Sequence, residues 1–323
     1  MQPQATAPGL FQRTPPAIFP PIFGLFGLGM AWRNSASLFT MPDAVGEVIL
    51  GAVTLLYLFA LVAYLTKVVK RPGVFAEDLK TLPGRAGLAT MMMAGMLMAA
   101  TILPYGAGVA RLVLIAAIGG HVILLLVVIN ALLRGPGEAR HVTPVWHLMF
   151  VGLILSPPAA IALGWIAYST AILAGAVVIA LAIWAISLRQ MMQKEMPAPL
   201  RPTQAIHLAP AAVLGTVAMM LGYNTLALVF GVWAIIVLAY LIVRARWITA
   251  AGFSPFWGAF TFPLAAFSTV MQLNAMAGAG EVFRILGGLS LVAATLIIPV
   301  ITWKIMMLWA KGVLATKTNA ASA

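Results

Sequence analysis

Eight stretches of the chain run without an Asp, Glu, Lys or Arg for 19 residues or more: 14–32, 48–66, 86–110, 112–133, 141–188, 202–243, 247–280 and 285–303. About 20 apolar residues in helical form cross a bilayer core of ~30 Å. The stretches 141–188 and 202–243 are each long enough for two crossings. The stretch 247–280 reads as one crossing followed by a turn at Asn274–Gly280. The pattern therefore predicts ten helices, at 16–36, 46–68, 86–104, 108–133, 144–166, 168–190, 204–222, 224–244, 253–273 and 284–309. No alternation of period two supports a β-barrel. The expected fold is an all-α integral membrane protein, with residues 1–323 as one transmembrane domain.

Connections on one side are short, at Pro104–Gly108, Gly164–Ser169 and Leu221–Thr225, and those on the other are longer and basic. The helices thus form five hairpins, a weak repeat with a period near 55–65 residues. Prolines divide the two sets. Pro20 and Pro21 fall in helix 1, Pro157 and Pro158 in helix 5, Pro210 in helix 7 and Pro263 in helix 9, while among even helices only helix 10 has one, Pro299. Proline removes a backbone N–H and bends a helix, and in lipid the freed carbonyl is tolerated inside the protein or beside a cavity. Odd helices are therefore expected to form an inner ring around a central pore and even helices an outer ring. Simple packing kinks are the alternative for each proline singly. Helix 3 carries Gly95 but no central proline.

Apolar residues make up 63% and charged residues 8%, against roughly 45–50% and 25% in soluble domains. The absence of Cys excludes disulfides and thiolate chemistry. The stretch Met1–Thr14 lacks the charged start and small-residue cleavage site of a signal peptide. The net charge of +12 would suit nucleic acid, but its distribution argues for orientation instead. With ten crossings, 16 of the 19 cations fall on the side of the termini, leaving Arg33, Arg111 and Arg284 opposite. The positive-inside rule then places both termini in the cytoplasm of a cell inner (plasma) membrane protein. A basic mouth would also concentrate anions.

The seven acids, Asp43, Glu47, Glu77, Asp78, Glu138, Glu195 and Glu281, all sit in loops or at helix ends. Proton-driven carriers keep ionisable relays within the membrane, and here only His121, His147 and His207 could serve. Of these, His207 and His147 are the candidate coupling residues. A cation path would carry acidic rings, so an anion or neutral-solute path remains. Two facing imidazoles could also hold haem. His147 and His207, near matching helix ends, are the pair at similar depth. No nucleophile–base pair, phosphate loop or metal cluster suggests an enzyme.

Helix 9 reads Phe253-Ser-Pro-Phe-Trp-Gly-Ala-Phe-Thr-Phe-Pro-Leu-Ala-Ala-Phe-Ser-Thr269. At 100° per residue Phe253, Phe256, Phe260 and Phe267 share one stripe of ordinary packing. Phe262 points away from it, onto a face with the small residues Gly258, Ala265, Ala266 and Thr269. One ring among small residues near mid-membrane suits a hydrophobic plug, and equally a knob packed into a neighbouring helix. Ser156 and Thr216 are further candidate polar lining groups.

The segments Gly258-Ala-Phe-Thr-Phe-Pro-Leu-Ala-Ala266, Leu208-Ala-Pro-Ala211 and Gly24-Leu-Phe-Gly-Leu-Gly-Met-Ala-Trp32 resemble the TehA-type tellurite-resistance/dicarboxylate transporter family, which includes the plant slow-type anion channels. The resemblance implies a homotrimer in which each protomer has its own pore, lined by the five odd helices and occluded at Phe262. It implies small inorganic or organic anions as solutes and no cofactor. An anion channel is the primary expectation. The alternatives are a proton-coupled carrier for malate-like dicarboxylates or an oxyanion such as tellurite or sulfite, and a membrane haem redox protein.

Overall fold

The computed structural model describes residues 9, 11–134 and 140–323, so Glu138 lies outside the described residues. Every regular element among these residues is helical. The longer segments are α1 Phe19–Phe39, α2 Ala44–Lys70, α3 Leu82–Ile102, α4 Ala107–Arg134, α5 His147–Ala162, α6 Ile166–Gln193, α7 Ala198–Met220, α8 Asn224–Val243, α9 Pro255–Met276 and α10 Glu281–Ala310. Short helices Gly73–Asp78, Ala245–Ile248 and Val313–Lys317 lie in the connections and tail. Eight of the longer segments are long and apolar enough to cross a membrane, the two outside that set being α1 and α5.

Local chemistry sets several element ends. Thr81 caps α3, its Oγ1 accepting from the Gly84 amide at 3.0 Å, with Pro83 in the first turn, where no intrahelical N–H is needed. The segments α5, α7 and α9 all stop at a left-handed glycine: Gly164 (φ 82°), Gly222 (φ 81°) and Gly278 (φ 81°). After each glycine the next amide reaches back five residues: Trp165 to Ala160, Tyr223 to Ala218 and Ala279 to Asn274, at 2.8–3.0 Å. This is the Schellman arrangement, which a side chain at the glycine would strain. The three glycines are 58 and 56 residues apart, so the repeat spacing survives in the turn chemistry even though the flanking sequences differ.

Burial separates odd from even segments. Within their most apolar windows α3, α7 and α9 are 67–83% buried, whereas α2, α4, α6, α8 and α10 are 28–39% buried. The even segments present large exposed apolar side chains, for example Val48, Leu55, Val62 and Val69 seven residues apart along α2. In water such a surface would aggregate; in a bilayer it meets lipid. Each odd segment packs on the even segment that follows it. Odd segments also pack on one another in order, α1 on α3, α3 on α5, α5 on α7 and α7 on α9, and α9 returns to α1. The buried segments therefore form a closed circuit.

Charge is confined to the ends of this bundle. At one end Arg33 grips Glu47 through two contacts, Nε–Oε1 2.7 Å and Nη2–Oε2 2.8 Å, and donates to the Ala100 and Thr101 carbonyls. The Tyr105 hydroxyl donates to the same carboxylate at 2.6 Å, and that bond raises the tyrosine pKa. At the other end Lys67 and Asp78, both fully buried, meet at 2.8 Å. Lys67 also donates to the Thr14 carbonyl, while Asp78 accepts from the Tyr64 hydroxyl and the Ala321 amide. The pair thus ties both terminal segments to the α2–α3 connection. On the adjoining surface Arg71 holds Glu77 by two 2.7 Å contacts, and these hydrogen bonds keep the Glu77 carboxyl below its ordinary pKa.

A buried pair is costly to break from one side, because the survivor is left uncompensated. Asp78→Ala is expected to destabilise the protein by about 3–5 kcal/mol, and Lys67→Met/Asp78→Leu to cost less than that single change. Thermal unfolding of the detergent-purified variants measures both, and a double variant as damaged as Asp78→Ala would refute the expectation.

Candidate functional site

The odd segments are not uniform helices. A 3-10 turn at Pro16–Ile18 leads into α1, with Pro20 and Pro21 in its first α-helical turn. The segment α5 runs as a π turn His147–Val151, a 3-10 turn Gly152–Leu155 and an α-helix Pro157–Ala162 that opens on Pro157 and Pro158. The 3-10 part of α7 spans Ala198–His207 and its α-helix Leu208–Met220, with Pro210 third. The 3-10 part of α9 spans Pro255–Phe260 and its α-helix Thr261–Met276, with Pro263 third. Only α3 is α-helical throughout. In all four broken segments the prolines stand in the first turn of a new α-helix, where N–H groups have no intrahelical partner. The bend is therefore a change of helix type ahead of the proline.

At three of the four breaks a side chain from another segment donates to a backbone carbonyl at or beside the change of helix type. Thr261 Oγ1 of α9 donates to the Pro20 carbonyl of α1 at 3.2 Å, sharing its proton with Gly258 at 2.7 Å. His121, at the middle of α4, has Nε2 3.0 Å from the Met149 carbonyl in the π turn of α5. That contact makes Nε2 the protonated nitrogen. Trp184 Nε1 of α6 donates to the His207 carbonyl at the junction in α7 at 3.3 Å.

Two small cavities lie inside the circuit of odd segments. The first, about 50 Å³, is lined from all five, by residues such as Phe23, Thr90, Leu148, Ala209 and Phe262, with Pro20, Gly258 and Pro263 on its wall. The second, about 20 Å³, is lined from α3, α5, α7 and α9, including Met93, His147, Pro210 and Phe262. Phe262 borders both, together with Leu148, Ile206 and Ala209. The volumes hold a few waters at most. Among the described residues, no Asp, Glu, Lys or Arg lines either cavity.

Between the cavities Phe262 stacks on Phe23 of α1, with ring centroids 3.8 Å apart and planes 19° from parallel. Both rings are almost fully buried. Small residues make room for the stack. A Cβ on Gly27 would come within 2.9 Å of the Phe262 ring, and one on Gly24 would collide with the Thr261 side chain. Phe23 lies 239 positions from Phe262, and no periodicity in α1 marks it out. The nearest sequence sign is the run of glycines around it.

The other expected lining residues lie elsewhere. Because Pro255–Phe260 is 3-10, with about three residues per turn, the 100° phase drawn from Phe253 does not carry through to Phe262. Phe256, assigned to packing by that phase, lines the first cavity. Ala265 packs against Leu28, Ala31 and Leu291, and Ala266 joins the main core. The hydroxyls of Thr269, Ser156 and Thr216 donate to the backbone carbonyls of Ala265, Leu153 and Ala212, and none of these five residues lines either cavity.

His147 and His207 are brought together, His147 Nε2 lying 3.1 Å from His207 Nδ1 with the rings nearly perpendicular. Direct contact leaves no space for a haem iron between the two nitrogens. One ring donates to the other. His147 borders the second cavity beside Phe262, whereas His207 borders a separate groove on the outside of the ring. The pair therefore joins the interior to that groove.

No curated protein matches the chain. A family model described as voltage-dependent anion channel, the SLAC1 family, matches residues 13–306, which is most of the chain. The cavities between the buried odd segments lie within the matched span, as do the apolar outer helices up to the last turn of α10, and the chain belongs to the SLAC1 family of anion channels.

Proposed function

We propose that all ten segments cross the membrane as five hairpins, the odd ones around a central anion path that Phe262 and Phe23 hold shut. The single observation that carries the reading is the stacked ring pair between two cavities lined by the odd segments. An apolar constriction blocks ions by excluding water. The uncharged lining means that a passing anion would be held weakly, so easily dehydrated anions would pass best. The basic residues on the side of the termini fit cytoplasmic termini in a plasma membrane. A homotrimer with one path per protomer belongs to the reading through the family.

Phe262→Ala is expected to raise chloride and nitrate current in planar bilayers by at least about tenfold, a barrier lower by about 1.4 kcal/mol. Phe23→Ala/Phe262→Ala should raise it further, since the Phe23 ring can otherwise relax into the vacated space. Unchanged currents in both variants, with equal amounts of protein in the bilayer, would sink the gate.

The histidine pair favours a second reading, a proton-coupled carrier for malate-like dicarboxylates or an oxyanion. His147 faces the interior, His207 faces the outer groove, and a proton can pass along the bond between them. In proteoliposomes with an imposed pH gradient, this reading expects uphill malate uptake by the wild type. His147→Gln and His207→Gln should retain downhill flux and lose the uphill component. A wild type that never accumulates malate under the gradient removes this reading.

A further inference from the structure

A groove on the outer surface, separate from the path, has two arms that share the residues Ser187, Met191, Gln204 and His207. The first arm, about 460 Å³, runs between α6 and α8 and is walled by apolar and aromatic side chains such as Leu181, Leu188, Trp233 and Ile236. These helices are the exposed ones, so this arm opens toward lipid. The second arm, about 670 Å³, leads to the bundle end that carries the chain termini, where Arg140, His141 and Lys194 rim it.

The shared floor holds three polar atoms with no partner: Ser187 Oγ, Gln204 Oε1 and His207 Nε2. Their residues are 6%, 2% and 9% exposed, so the atoms are out of reach of bulk water. A buried polar atom without a hydrogen bond is costly, and three of them on residues that line one groove mark a missing partner there. Gln204 Nε2 is already directed at Met196 Sδ, so Oε1 is left as an acceptor that requires a donor. The charge at the mouth is positive. Glu195 is there too, but it is held by Arg201 at 2.8 Å and by Trp247 Nε1 at 2.8 Å. Arg140 gives two of its N–H groups to the Leu132 and Leu133 carbonyls, and Lys194 makes no ion pair among the described residues.

We propose that this groove binds an anionic phospholipid with a hydroxylated head group. One acyl chain lies in the α6–α8 arm, the phosphate faces Lys194 and Arg140, and head-group hydroxyls supply the donor that Gln204 Oε1 lacks. Basic pockets between membrane helices select lipids by this combination of charge and apolar contact. Because His207 also bonds to His147, an occupied groove fixes the imidazole that reaches toward the path. The site does not depend on the ring gate.

The test is thermal unfolding of the detergent-purified full chain with dihexanoyl phosphatidylglycerol, dihexanoyl phosphatidylcholine, or glycerol phosphate. Phosphatidylglycerol is expected to raise the midpoint by about 4 °C or more, and the other two to leave it within error. Lys194→Glu and Gln204→Leu should each remove most of the shift, while Lys311→Glu, an exposed charge reversal away from the groove, should retain it. Lys194 is at the surface, so its variant folds regardless of the floor. An equal shift with phosphatidylcholine, a shift with free glycerol phosphate, or a full shift in both groove variants would overturn the proposal. A shift that tracks protein rather than lipid concentration would give the groove to a second copy of the chain and would likewise overturn it.

Discussion

Water does not reach the hydrocarbon layer of a bilayer, so a backbone group released from its helix has to find a partner within the protein. Most of the interior follows from that constraint. Four of the five odd segments change helix type ahead of a proline, and beside three of these changes a side chain from another segment donates to a backbone carbonyl: Thr261 to Pro20, His121 to Met149 and Trp184 to His207. Each cap also fixes the relative position of two segments. Two of the three donors, His121 and Trp184, come from the even segments that pack against the breaks. The even segments, facing outward, are uninterrupted helices apart from Pro299 in α10.

The same breaks shape the interior. A 3-10 approach brings Phe262 into the first turn of the α-helix of α9, and glycines on α1 let the two backbones come close enough for the rings to stack. The site thus consists of apolar surface around a narrow space, with no fixed charge to bind an ion deeply. The ionic chemistry is held at the two ends, where Arg33–Glu47 and Lys67–Asp78 fasten the ends of the first three segments.

The three buried histidines divide into two tasks. His121 donates a hydrogen bond to the Met149 carbonyl and is structural. His147 and His207 bond to each other and connect the interior with the outer groove.

Charge-free runs, proline positions and the short turns after helices 5, 7 and 9 were readable from the chain alone, because each acts locally: a run is long enough for a bilayer, a proline has no N–H, and a glycine-bearing stretch turns the chain. The odd–even division was visible for the same reason, since lipid and protein interiors tolerate different backbones. Helical phase was readable only while the helix type stayed constant. Drawn through the 3-10 stretch Pro255–Phe260, it assigned Phe256 to packing, whereas Phe256 lines a cavity; Ala265 and Thr269 share the α-helical face of Phe262, but Ala265 packs against neighbouring segments and neither residue lines a cavity. Contacts between distant segments carry no periodic signal. The pairing of Phe262 with Phe23, the meeting of His147 and His207 and the unpartnered floor of the outer groove were decided by how ten segments pack, a property of the whole chain and not of any stretch of it.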